Sequence, residues 1–234
     1  MPFEAVSRLK AFARCFVERP LKLFYLILLT NVAIFAVTSL LPQVKGSLVL
    51  SLATPQGILT AIFVHRDLGH LTGNLIGAAY SVFLILCLSW TFMGTGKALG
   101  LFERMLAVAF VSAIVANLAE YSLLLLLQWH DYASAGFSGV VYALMGCYIQ
   151  LLFWVLKSPT VRKNRLFLTL VVLQLGLFVG YIVLFPTEFA GVGPGGNALN
   201  HIISFLTAYF VTMIYLNRDS YLGALRHLTT KAPR

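Results

Sequence analysis

Charge is scarce in this chain. Lys, Arg, Asp and Glu make up 11% of 234 residues, and only eight residues are acidic. A soluble domain carries about 25% charged residues, so these side chains cannot clothe a water-facing surface and lipid must cover much of it. Cysteine is scarce too. Cys15, Cys87 and Cys147 are odd in number and lack CxxC spacing, which excludes a disulfide framework and a zinc ribbon. No internal repeat, low-complexity linker or separate soluble domain is visible.

What is present is apolar. Hydrophobic residues form 59% of the chain, and the mean hydropathy is +0.87. A hydrocarbon core of about 30 Å needs roughly 20 helical residues. Six runs meet this, near 21–41, 69–90, 105–128, 138–156, 166–185 and 198–216. They are continuously apolar rather than alternating, which favours helices over a barrel. The expected fold is an all-α, polytopic bundle of six transmembrane helices at 21–216. An amphipathic segment at 1–20 precedes it, and a basic tail at 217–234 follows it. Phe3, Val6, Leu9, Phe12 and Phe16 put one apolar stripe on the N-terminal segment before Pro20, as in a helix lying on a membrane surface.

The net charge of +9 raises the question of nucleic acid, but its distribution answers otherwise. With six spans, fifteen of the seventeen cations fall on one side, and only Lys45 and Arg66 fall on the other. Positive loops stay cytoplasmic, so both termini are expected inside. The expected partner is a lipid bilayer, with no nucleic acid.

This topology gathers the polar groups. The second, fourth and sixth spans all run inward from the outer face. His70 and Asn74 start the second, Ser138 the fourth and His201 the sixth. Ionisable groups inside a membrane are costly and mark function. Alone, Ser138 reads as a helix cap, His201 as an interhelical bond, and His70 with Asn74 as a polar clamp on one face. Asn31 and His65 read as packing residues. Together, a nucleophile, a base and two donors at one depth fit acyl transfer. His201 can be the base that activates the Ser138 hydroxyl. A His70 ring N–H, the Asn74 amide and the Ser138 backbone N–H are available as donors to an oxyanion. Gly136 and Gly139 allow close approach, and Tyr142, one turn after Ser138, can pack the imidazole. No acidic third member is evident; Glu120 reads as a polar partner for a neighbouring helix. No HExxH spacing, no pair of membrane aspartates and no GxSxG elbow occurs. No cofactor or metal is expected.

These strings resemble the rhomboid family of intramembrane serine proteases. Phe63-Val64-His65 with His70-Leu71-Thr72-Gly73-Asn74, Gly136-Phe137-Ser138-Gly139, and His201 in the last span stand in the family's order. The resemblance implies Ser138 as nucleophile, His201 as base, His70 and Asn74 at the oxyanion site, and Tyr142 as the ring beneath His201. It also implies a transmembrane protein substrate, entering between the second and fifth spans under a loop that here is 191–196. The expected activity is a Ser-His endopeptidase in a multi-pass membrane protein, opening to the extracytoplasmic side. Two departures stand out. Asn200, Ser204 and Ala208 occupy positions where the family has Ala, Gly and Gly. The first outer loop, read as the short stretch 41–47, lacks a Trp-Arg pair. A non-proteolytic relative that escorts membrane helices is the alternative. A transporter would need polar residues through the full depth, and the inner halves of these spans are apolar.

Overall fold

The computed structural model describes residues 18–93, 95–157, 165–184, 186 and 197–229. The surface helix expected at 1–20, Cys15 and the loop at 191–196 lie wholly or almost wholly outside them. Among the described residues there is no strand, only isolated bridges at Leu50–Ser134 and Ser51–Thr54. The spanning helices are α1 (Arg19–Leu40), α4 (Leu68–Met93), α5 (Thr95–Leu127), α6 (Ser138–Leu156), α7 (Arg165–Leu184) and α8 (Ala198–Thr229). Six helices are long and apolar enough to cross a membrane. The connection between α1 and α4 holds α2 (Pro42–Leu48), α3 (Gly57–Thr60) and a 3₁₀ turn, Ala61–Phe63.

Local chemistry sets the ends. Pro20 sits in the first turn of α1, where its missing N–H costs nothing. Pro42 ends that helix by forcing Leu41 out of the helical region (φ −127°, ψ 80°). Asp67 Oδ1 accepts the His70 amide at 2.8 Å and so caps α4. That amide, followed by the Arg66 guanidinium, holds the Asp67 carboxyl below its usual range. Asn197 Oδ1 caps α8 in the same way, accepting the Asn200 amide at 3.1 Å.

The helix α6 is the axis of the molecule. Within the spans, 72% of its residues are buried, against 6% for α7. It packs on α4, α5 and most extensively on α8. That last contact depends on a small residue: a Cβ at Gly146 would lie 2.4 Å from the Phe205 carbonyl oxygen. Ala208, fully buried, continues the seam. Backbones this close gain dispersion contacts that lipid cannot offer. The core is otherwise mostly Leu, Val, Ala, Ile and Phe, with Phe102 edge-on to Phe24 at 6.2 Å.

Two stretches differ from the sequence reading. The third span was expected from 105, yet α5 begins at Thr95. Ala98, Leu101, Phe102 and Met105 are buried at helical spacing, so the buried face starts at Ala98, before the charge-poor run does. The connection from α1 to α4 is not the short stretch 41–47 but runs from 41 to 67. It is pinned by Lys45 Nζ donating to the Arg66 carbonyl at 2.9 Å and by paired Leu50–Ser134 backbone bonds at 2.9 Å each.

Candidate active site

The starts of α6 and α8 meet. His201 Nε2 lies 2.9 Å from Ser138 Oγ, across 63 residues of sequence. The Tyr142 ring stacks on the His201 ring, with centroids 4.1 Å apart and planes 9° from parallel. Stacking fixes the imidazole plane with its edge toward the hydroxyl. His201 is 8% exposed, whereas Ser138 and Tyr142 are half-buried. The pair is therefore sheltered but reachable.

Gly136 brings α4 to this pair. Its φ is +142°, outside the range that a side-chain-bearing residue adopts readily. Its N–H donates to the Ala61 carbonyl at 2.9 Å. A Cβ there would stand 2.8 Å from His70 Cε1, 2.9 Å from His70 Nε2 and 3.4 Å from Ser138 Oγ. His70 and Ser138 thus converge on the space that glycine leaves empty. Asn74, one turn along α4, is buried, and its Nδ2 has no hydrogen-bond partner among the described residues.

Gly139 serves a different neighbour. A Cβ there would lie 2.6 Å from Asn200 Oδ1 and 3.2 Å from Ser204 Oγ. The two glycines admit His70 and Asn200, side chains of this chain itself. Asn200 heads a buried polar network. Its Nδ2 donates to Asn117 Oδ1 at 2.6 Å, and Asn117 Nδ2 donates to the Ile58 carbonyl at 3.0 Å. Glu120 accepts from Tyr132 Oη at 2.6 Å and from Asn197 Nδ2 at 2.7 Å. Asn197 Nδ2 also reaches Ser134 Oγ at 2.6 Å. Burial, followed by the Glu120 carboxylate, pushes the Tyr132 phenol well above its usual range, so it remains a donor. The network ties α5 and the 132–134 loop to the residues on either side of Ala198, and so sets where His201 starts.

His65 is fully buried, with neither ring nitrogen hydrogen-bonded among the described residues, and its ring stands edge-on to His70 at 5.3 Å. Burial, followed by His70 and Lys45, pushes it down to about 4. It remains neutral behind His70. Asn31 donates back to the Ile27 carbonyl of its own helix at 2.9 Å.

Sequence reasoning missed Asn117, Ser134, Tyr132 and Asn197. Two signals were available. Asn117 and Glu120 are three apart on one helical face, and Asn197 stands three residues before Asn200 at a helix start, the spacing of a cap.

Beside the site, a cavity of about 390 Å³ separates α4 from α7, with α6 as its floor. Gly77, Tyr80, Val141, Met145, Gln174 and Phe178 are among its lining residues. Tyr148 hydrogen-bonds Gln174 across the base of this gap.

A rhomboid-domain family model matches residues 52–218. The chain belongs to the rhomboid family. The match takes in α4 to α8 up to residue 218 and every residue of the cluster just described. Among curated proteins none matches this rhomboid.

Proposed function

We propose that this rhomboid is an intramembrane serine endopeptidase that cuts transmembrane segments of other proteins near the outer face, with residues 21–216 as the catalytic unit. The observation that carries the reading is the 2.9 Å contact of Ser138 Oγ with His201 Nε2, beneath a stacked Tyr142. Ser138 Oγ attacks the scissile carbonyl carbon while its proton passes to His201 Nε2. The carbonyl electrons move onto oxygen, where the Asn74 amide, a His70 ring N–H and the Ser138 backbone N–H stabilise them. His201 then gives its proton to the leaving amine, and water repeats the sequence on the acyl ester. An intact Ser-His pair counts against a purely escorting role.

The cavity between α4 and α7 supports lateral arrival of the substrate. It is walled by apolar side chains, and Val141 on its floor is one turn from Ser138. A substrate helix must unwind before its carbonyl is accessible, so Gly or Pro near the cut should help. The positive-inside distribution supports a dyad toward the extracytoplasmic side.

The test is cleavage of an oriented transmembrane substrate in proteoliposomes, with the cut mapped by mass spectrometry. Ser138→Ala and His201→Ala should each abolish cleavage, and the double variant should be no worse than either. Turnover by purified Ser138→Ala would overturn the reading, and a cut on the cytoplasmic side would overturn the topology.

A further inference from the structure

A second cavity lies at the opposite end of the bundle. It measures about 520 Å³, and Gly96, Lys97, Gly100, Arg104, Trp154 and Tyr215 are among the residues that line it. Trp154 stands roughly 24 Å along the α6 axis from Ser138, so this space is remote from the dyad and independent of it.

Three features define its chemistry. Lys97 and Arg104 both line it, and among the described residues no Asp or Glu does. Arg104 is held over the Tyr215 ring at 5.0 Å, which fixes a guanidinium at the wall. The remaining wall is apolar, from Met93, Leu101 and Leu216. Gly96 and Gly100 leave it room, because a Cβ at either would meet nothing within 4 Å. Two cations without carboxylate partners in the cavity, beside an apolar wall, fit an amphiphile with an anionic head. The aromatic pair Trp154 and Tyr215 fits the headgroup level of a bilayer, and the volume lies in the range of small-molecule sites.

We propose that this cavity binds one anionic phospholipid. The phosphodiester sits between the Lys97 ammonium and the Arg104 guanidinium, whose planar fork suits phosphate oxygens. The acyl chain lies along Met93, Leu101 and Leu216. Basic pockets between transmembrane helices recognise lipid headgroups by this combination.

The test uses the full chain in zwitterionic detergent, titrated with dioleoylphosphatidylglycerol, with bound lipid counted by native mass spectrometry. Wild type should retain one phosphatidylglycerol and exchange it poorly for phosphatidylcholine. Removing both charges in Lys97→Gln/Arg104→Gln should weaken retention roughly thirtyfold, while Lys97→Arg should preserve it. Gly100→Leu keeps both charges but fills the cavity, and should lose the lipid as well; it reads the same property if the double variant does not fold. Equal retention by the double variant, by Gly100→Leu, or of phosphatidylcholine by wild type would overturn the proposal. Displacement of the lipid by inorganic phosphate at equal concentration would also overturn it, since the site would then select an ion and not a lipid.

Discussion

Asn74 and Asn117 are both buried asparagines, 8% and 6% exposed, yet their alanine variants should fail in opposite ways. Asn117 is bonded at both ends, to the Ile58 carbonyl at 3.0 Å and from Asn200 at 2.6 Å. Asn117→Ala orphans the Ile58 carbonyl and leaves Asn200 Nδ2 only its long 3.5 Å bond to Glu120 Oε2. Hydrogen bonds between membrane helices average roughly 0.6 kcal/mol, and an orphaned buried group costs about 1–3 kcal/mol. Two broken bonds therefore put the loss at about 1–4 kcal/mol of stability. Asn74 Nδ2 has no partner to orphan, so Asn74→Ala should change stability by less than about 1 kcal/mol. Its effect should fall on rate: losing one oxyanion donor costs about 10²–10³, or roughly 2.7–4 kcal/mol of transition-state stabilisation. The assay pairs unfolding midpoints in detergent with initial rates on one transmembrane substrate. If Asn74→Ala loses as much stability as Asn117→Ala while cleaving at near wild-type rate, then Asn74 packs helices and the oxyanion assignment fails.

Two further outcomes follow from contacts outside that pair. His65 is held neutral in the folded chain down to about pH 4, whereas an unfolded histidine binds a proton near 6.5. Its contribution is therefore complete above 6.5 and declines as pH falls toward 4. Thermal melts should show wild type losing more between about pH 7 and pH 5 than His65→Leu does; parallel losses would contradict the buried neutral state. At Gly146, a Cβ would sit 2.4 Å from backbone oxygen. Gly146→Ala should therefore spread α6 from α8, lower stability by about 1–3 kcal/mol and slow cleavage, while Gly73→Ala, with open space around it, should be near neutral in both unfolding midpoint and rate.

The bundle was legible because its signal is local. Each span is a continuous apolar run, and a run of about 20 residues has few alternatives in a membrane. Ser138, His201, His70 and Asn74 were legible because each is a polar residue at the head of such a run. Legibility ended where apolarity and charge overlap: Lys97 and Arg104 made residues 95–104 read as a loop, although the buried face of α5 passes through them. It ended again at partners far apart in sequence. Nothing local ties Asn117 to Asn200, 83 residues on, or marks Gly136 as the place where His70 meets Ser138. Such pairings arise only when the helices cross. Asn200, a departure from the family's pattern, becomes intelligible only with Gly139 opposite it: the space that glycine frees is filled by this side chain.

In the proposed function, His201 makes Ser138 a nucleophile. The most direct measurement is labelling of the purified chain with a fluorophosphonate, followed by peptide mass spectrometry. A phosphonyl adduct should form on Ser138 in wild type, vanish in Ser138→Ala, and slow by orders of magnitude in His201→Ala. No adduct in wild type, an adduct on another residue, or wild-type labelling of Ser138 in His201→Ala would contradict it.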